Sequence, residues 1–165
     1  MKPSKINVLK AKKALFLFSG FRALTWKGIA YCKEESDIQL INAQDTINSN
    51  FEAHEMTHVK QAESTHDSWF CFYTLYIWYW ILNFPLFIYG KFMPYYFIPF
   101  ELEAYNNEIN WKYSTNGAVY QWKKFKKQLS LKEKLKLAKQ YKERFKSIGF
   151  KQYVRKVIYP MINED

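Results

Sequence analysis

Two histidines and a glutamate in this chain have the spacing of a zinc-hydrolase motif. The segment His54-Glu55-Met56-Thr57-His58 is an HExxH sequence, and it uses two of the three histidines of the chain. On a helix, residues i and i+4 share one face, so both imidazoles can reach one Zn²⁺ ion. Glu55 can then take a proton from a metal-bound water. The spacing therefore predicts zinc as cofactor, with His54 and His58 as ligands and Glu55 as the catalytic general base.

A catalytic zinc site needs a third protein ligand and leaves the fourth position to water. The pattern HExxHxxGxxH is excluded, because Gln61 stands where it requires glycine and position 64 is not histidine. His66 and Asp67 follow the motif closely, and Asp67 falls just past the end of the predicted helix. Glu101 and Glu103 open a second predicted helix, which can pack antiparallel to the first. We favour this pair as the source of the third ligand.

Only one of these two glutamates can face a metal, because they point about 200° apart on a helix. The face of Glu101 continues through Ala104, Tyr105 and Glu108, and a small residue there allows close approach of another helix. Glu103 shares its side with three asparagines, Asn106, Asn107 and Asn110. A row of asparagines is typical of a solvent-facing surface. We therefore predict Glu101 as the third metal ligand.

The segment HEMTHVKQ at 54–61, followed about forty residues later by PFELEAYNNE at 99–108, resembles the gluzincin-type metallopeptidases. More closely, the chain looks like a group of small bacterial proteins built on HExxHxxQ, an aromatic-rich middle and FExEAYxNE. The ExEA portion also resembles the second motif of membrane-associated zinc endopeptidases that process prenylated or misfolded membrane proteins. The resemblance covers roughly residues 20 to 125. It implies that Glu101 binds zinc, whereas the aspartate that those enzymes carry four residues later is replaced by Tyr105.

Three further residues are candidates for orienting a ligand or contacting substrate: Gln61, Glu103 and Tyr105. Gln61 follows His58 by one helical turn and so lies on the face of the motif. A solvent-exposed Gln61 without a role is the alternative interpretation, and the sequence does not choose between the two.

Turn and capping signals mark the elements that must position these residues. Two β-like runs flank Trp26-Lys27-Gly28, which predicts a small hairpin. Ser49 followed by Glu52 is a capping-box pattern. It predicts that the motif helix starts near Asn50 and continues to Ser64 without a helix breaker.

Two more helices follow from the same kind of signal. Pro99 suits the first residue of a helix that we predict to run through Tyr113. Ser130 and Glu133 form a second capping-box pattern at the start of the last long helix. Gly149 stands where a glycine ends that helix.

The segment Trp69–Gly90 contains 22 residues and none that is charged, which is long enough to cross a bilayer as a helix. A single crossing would separate the predicted metal ligands, which lie on both sides of the segment. Two crossings need about 40 apolar residues, and this region offers 32 from Trp69 to Phe100. Two interpretations stay open: an aromatic helix pair in a core, or a segment lying in a membrane interface, which Trp and Tyr favour.

Length and composition indicate one globular domain. The chain has 165 residues, 48% hydrophobic and 20% aromatic, with 5 Gly and 5 Pro, which excludes disordered and collagen-like classes. We predict an α+β, mainly helical, minimal zincin-like single domain over 1–165. It combines a short N-terminal β-hairpin or small sheet, the HExxH helix, an aromatic helical middle, the third-ligand helix and a basic C-terminal helix. Its parts are a loose basic N-terminus (1–13), a zincin-like core (14–127) and a basic C-terminal helical extension (128–165).

The expected cell compartment follows from the cysteines and the N-terminus. Cys32 and Cys71 are too few and too far apart for a disulfide framework, so we expect buried, reduced thiols. The apolar run at 14–18 is too short for a signal peptide, and no small-residue cleavage site follows it. We therefore expect a cytoplasmic protein, with peripheral membrane attachment left open.

The net charge of +10 is concentrated in the C-terminal third, where residues 112–156 contain 15 Lys or Arg and 2 Glu. Such a stripe suits an anionic membrane surface, an acidic protein or, less favoured, nucleic acid.

The predicted function is zinc-dependent hydrolysis of a peptide bond in a peptide or protein substrate. Two alternatives remain: a zincin-fold subunit of a larger protein assembly without turnover, and a basic protein that binds membrane surfaces or nucleic acid.

Overall fold

The structure is a computed structural model that describes residues 10–15, 21–42, 47, 49–115 and 120–163. Over these residues the chain is mainly helical and contains one three-stranded sheet, which confirms the predicted α+β, mainly helical class. The chain divides into two compact units. The first unit is Met1–Cys71 with Asn107–Val119, and the second unit is Phe72–Asn106 with Tyr120–Asp165.

The sheet belongs to the first unit and has the strand order β1-β3-β2. Its strands are β1 (Lys10–Lys13), β2 (Ala23–Trp26) and β3 (Ile29–Cys32). Strands β2 and β3 are antiparallel and joined by Lys27 and Gly28, whose φ angles are 50° and 80°. Two consecutive left-handed residues are what a tight two-residue hairpin requires. The predicted hairpin is therefore confirmed.

Strand β1 corrects the expectation that residues 1–13 are loose. Lys10–Lys13 pair in parallel with β3, and the alternating sequence buries Ala11 while the lysines remain exposed. The helix α1 (Glu35–Asn42) holds this strand, because Asn42 accepts a hydrogen bond from the Ala11 N–H and donates one to its carbonyl. The three lysines of this segment made it look like an unstructured basic tail, although side chains that alternate between buried and exposed are typical of a strand. Residues 1–9 lie outside the described part.

The motif helix α2 (Asn50–Ser64) begins and ends where the sequence predicts. The Ser49 hydroxyl accepts a hydrogen bond of 3.1 Å from the Glu52 N–H, as an N-cap does. His66 and Asp67 follow the helix in the left-handed region, with φ of 58° and 53°. The chain therefore turns sharply after α2.

All elements of secondary structure in the second unit are helical over its described residues. Its elements are α3 (Trp69–Leu82, which begins in the first unit), a 3₁₀ segment (Phe84–Tyr89), α4 (Met93–Tyr96), α5 (Pro99–Asn107), α6 (Gln121–Gln128), α7 (Leu131–Gln140), α8 (Phe150–Tyr153) and α9 (Tyr159–Met161). π-helical turns continue α7 and α8, over Tyr141–Phe145 and Val154–Ile158. A cluster of buried aromatic and aliphatic side chains, including Phe97, Phe125, Phe150 and Tyr153, forms the core of this unit.

Two helix boundaries test the capping signals. Ser130 and Glu133 form the predicted reciprocal capping box, and the helical segment that follows ends at Gly149, with φ of 78°. The helix from Pro99 was predicted to reach Tyr113, but α5 ends at Asn107. Turns follow it because asparagine competes for backbone hydrogen bonds and favours turns over helix.

The uncharged segment forms a helix that is shorter than a membrane crossing. Helix α3 has 14 residues, about 21 Å at 1.5 Å per residue. Among the described residues, no helix combines the length and the apolarity that a crossing needs. Phe72 and Tyr79 are buried on one side of α3, whereas Ile77 and Ile81 on the opposite side are 56% and 44% exposed. The aromatic middle thus supplies a packed face and an exposed apolar face.

Candidate metal centre

The two motif histidines face each other inside the first unit. His54 and His58 are 6% and 7% exposed, and their rings meet edge to face. The distance between their Nε2 atoms is 3.2 Å. Two nitrogens bound to one tetrahedral zinc at 2.0–2.1 Å lie about 3.3 Å apart. The two Nε2 atoms therefore have the separation of neighbouring ligands in a zinc site.

Gln61 orients the second of these histidines. Its Oε1 lies 2.8 Å from His58 Nδ1, and the Gln61 side chain is fully buried. An amide oxygen can only accept, so Nδ1 carries the proton and Nε2 keeps its lone pair on the side of His54. The solvent-exposed interpretation of Gln61 is therefore wrong, and its contact is the one expected of a residue that orients a metal ligand.

Glu108 faces the first histidine and was given no role in the sequence analysis. Its Oε2 lies 3.6 Å from His54 Nδ1, and the residue is 3% exposed. A carboxylate on this side favours the Nδ1–H tautomer, which directs the Nε2 lone pair toward His58. The sequence spacing could have marked Glu108 as a candidate site residue, because it follows Glu101 by two helical turns. A carboxylate next to a motif histidine thus exists here although Tyr105 replaces the aspartate of the resembled endopeptidases.

The hairpin positions the predicted general base. Thr25 Oγ1, on β2, donates a short hydrogen bond to Glu55 Oε2. Both side chains are buried, at 5% and 6% exposure. Thr25 and Glu55 are 30 residues apart in sequence, so no local pattern could predict this contact. One carboxylate oxygen is thereby held by the sheet.

Burial and the nearby charge of Glu55 keep the Cys32 thiol protonated. Cys32, at the end of β3, is fully buried and free. Burial, and then the charges of Glu55 and Asp37, raise its pKa to about 12. Since the thiolate is the metal-binding and nucleophilic form, Cys32 is unsuited to either role at neutral pH. The predicted burial is therefore confirmed for Cys32, whereas Cys71 is only half-buried.

In the second unit, Glu101 and Glu103 are both buried but have different partners. The Tyr76 hydroxyl donates a hydrogen bond of 2.6 Å to Glu101 Oε1. Glu103 Oε1 accepts one of 2.7 Å from the N–H of Gln121, the first residue of α6. Glu103 is 0% exposed, so the prediction that its side faces solvent is wrong. It is buried because a carboxylate satisfies and stabilises the amino end of α6.

Tyr105 belongs to a chain of tyrosines that ends at Glu101. Tyr95 is hydrogen-bonded to both Tyr76 and Tyr105. Burial, followed by the charge of Glu101, raises the pKa of Tyr76 well above its ordinary value. Burial also raises the pKa of Tyr105. Both phenols therefore stay protonated, and Tyr76 is the one that donates to Glu101.

The remaining sequence candidates for the third ligand are placed differently. His66 and Asp67 are exposed at the turn after α2. The three predicted ligands, His54, His58 and Glu101, are all buried, the two histidines in the first unit and Glu101 in the second.

Comparison of the chain with known protein families, curated proteins and solved structures finds no match.

Proposed function

We propose that this chain is a zinc-dependent peptidase in which His54, His58 and Glu101 hold Zn²⁺ and Glu55 is the general base. The observation that carries the proposal is the 3.2 Å distance between the two Nε2 atoms. Gln61 and Glu108 lie at the two Nδ1 atoms and favour the tautomers whose Nε2 lone pairs face each other. Two facing lone pairs repel, so a shared cation stabilises this arrangement.

The donor set favours zinc over other metals. Two imidazoles and one carboxylate form a known catalytic zinc combination, with the fourth position left to water. Harder cations such as Mg²⁺ and Ca²⁺ prefer sites made of oxygen ligands. The choice of Glu101 as third ligand is supported by its burial. The tyrosine chain supports it further, since Tyr76 holds Glu101 Oε1.

The surroundings of Glu55 support its role as general base. A bound zinc ion supplies a Lewis acid that lowers the pKa of water to about 7. Glu55 accepts the proton of the attacking water and later returns it to the leaving amine. Because Thr25 holds Oε2 of Glu55, Oε1 is the atom that receives the proton. The buried environment strengthens these interactions by excluding competing water.

A peptide is the substrate class that the neighbouring strand favours. In the described sheet, β2 is an edge strand, and it carries the threonine that contacts Glu55. An extended peptide can add to such an edge through main-chain hydrogen bonds. Leu24 and Trp26 on β2 are 52% and 44% exposed, and they offer apolar contacts for substrate side chains.

Metal analysis combined with three variants tests the proposal. Purified wild-type protein is expected to contain close to one zinc per chain. His54→Ala removes a ligand and should lose the metal, whereas Glu55→Gln should keep the metal and lose hydrolysis of a fluorogenic peptide library. Glu63→Gln is the matched control, since it lies on the same helix and pairs with Lys60. It should keep both properties.

Two results would contradict the proposal. Well-folded wild-type protein without metal would remove the zinc site, and its histidine pair would then share a proton. Stoichiometric zinc without hydrolysis of any peptide in the library would leave a zinc-stabilised subunit of an assembly as the better interpretation.

A further inference from the structure

A pocket of about 390 Å³ lies within the second unit, and none of the residues proposed to bind zinc lines it. Most of its wall is apolar and comes from α3 and from the chain around the start of α7, including Leu75, Trp78, Leu82, Leu129 and Leu131. Small-molecule sites in proteins typically occupy about 300–1,000 Å³ and have mainly apolar walls. The volume and the apolar wall therefore fall within the range of small-molecule sites.

The pocket contains a buried lysine. Lys134 is 7% exposed, and its Nζ donates a hydrogen bond of 2.9 Å to Asn83 Oδ1. Asn83 is itself buried and is held in place by a hydrogen bond of 3.0 Å from its Nδ2 to the Pro94 carbonyl. A rigid neutral amide thus fixes the position of the ammonium group.

No acidic side chain compensates this cation within the part of the chain that the structure describes. The residues that line the pocket include no Asp or Glu, and Lys126 adds a second cation at its exposed side. Burial lowers the pKa of Lys134 to about 8, with no carboxylate opposing the effect. Burying an ammonium without an anion is unfavourable, and an ammonium has three donors while Asn83 accepts one. An anionic ligand would supply the missing charge and acceptors.

The mouth of the pocket is apolar and exposed. Trp78, Leu82 and Leu131 line it and are 54%, 47% and 42% exposed. Exposed apolar side chains that adjoin a pocket mark a surface for an apolar ligand. The pocket therefore combines a cationic interior with an apolar exit.

We propose that this pocket binds an anionic amphiphile, with a carboxylate or phosphate head at Lys134 and a hydrocarbon chain against Trp78, Leu82 and Leu131. The shared chemistry fits either a free single-chain amphiphile or a lipid of an anionic membrane. The site is independent of the proposed zinc chemistry, because no residue of that site lines the pocket.

Isothermal titration calorimetry with soluble probes tests the binding. Dodecyl phosphate and dodecanoate, below their micelle-forming concentrations and at about 150 mM salt to screen exposed lysines, should each bind with a stoichiometry of one. Dodecyltrimethylammonium, which has the same chain and a cationic head, should not bind. Lys134→Met should weaken binding by about tenfold or more, the effect of losing a hydrogen-bonded charge. Lys136→Met, an exposed lysine on the same helix, should change the affinity by less than about twofold.

A second variant keeps the test decisive if Lys134→Met does not fold. Trp78→Ser alters an exposed wall residue and retains the lysine, so it should weaken binding while the circular dichroism spectrum stays unchanged. Vesicles of phosphatidylglycerol and of phosphatidylcholine identify the source of the ligand. Binding of soluble probes supports a free amphiphile, and Lys134-dependent binding to phosphatidylglycerol vesicles alone supports a membrane lipid.

Three results would overturn the proposal. One is equal binding of anionic and cationic probes, and another is equal affinity in the wild type and in both pocket variants. The third is no binding of either soluble probe or of anionic vesicles.

Discussion

Replacing Lys134 by methionine should change how the stability of the protein depends on pH. Burial lowers the pKa of this lysine from its ordinary value of 10.5 to about 8. The unfolded chain therefore binds the lysine proton more tightly than the folded chain does. Below about pH 8 the lysine is charged in both states, and the free energy of unfolding is lowered by the full cost of burying that charge. A pKa difference of about 2.5 corresponds to about 3 kcal/mol, since each pKa unit is worth about 1.4 kcal/mol.

The sign of the effect follows from proton linkage. Between about pH 8 and 10.5 the unfolded state binds more protons than the folded state, so this group makes the protein more stable as the pH rises. The wild type should gain about 2 kcal/mol relative to Lys134→Met between pH 7.5 and about pH 9.5. The variant also leaves Asn83 Oδ1 without its donor, which costs about 1–3 kcal/mol. That cost does not depend on pH and leaves the slope unchanged.

Urea unfolding at a series of pH values measures this difference. Burial also raises the pKa values of Cys32 and Tyr153. These groups lose their protons more easily in the unfolded chain, so they lower the stability of the fold at alkaline pH. Both proteins contain these groups, so their effect cancels when one curve is subtracted from the other. Lys136→Met, at an exposed position, should follow the wild-type curve. Parallel curves for the wild type and Lys134→Met over this pH range would refute the conclusion that the lysine is buried without a compensating anion.

Three further variants test the candidate metal centre. Gln61→Met removes the acceptor from His58 Nδ1 and should weaken zinc binding by about 10–100-fold in competition with a chelator. Glu108→Gln should also weaken zinc binding, because it removes the negative charge beside His54. Thr25→Val conserves shape but frees Oε2 of Glu55, so it should reduce peptide hydrolysis and leave zinc stoichiometry unchanged. Unchanged zinc affinity in both of the first two variants, or zinc loss in the third, would contradict these roles.

Several features of the fold could be predicted because they depend on neighbouring residues. The Ser49 cap, the left-handed Lys27-Gly28 turn and the capping box at Ser130 each use interactions within four residues. The HExxH spacing likewise places His54 and His58 on one helical face, since helix geometry alone determines it. Gln61 follows by the same rule, and its position one turn after His58 made it a candidate.

Other features depend on which surfaces pack together, and local pattern does not encode them. Asparagine neighbours predicted an exposed Glu103, but the start of α6 covers it and uses its carboxylate as a cap. Thr25 contacts Glu55 across 30 residues, and Lys134 contacts Asn83 across 51. Burial and long-range contacts are properties of the packed chain, because a side chain loses water only when another segment replaces it. The sequence by itself predicted which residues could hold a metal ion and where the motif helix begins. Tertiary structure decided which side chains hold Glu55 and the two histidines, and it buried a lysine in an apolar pocket.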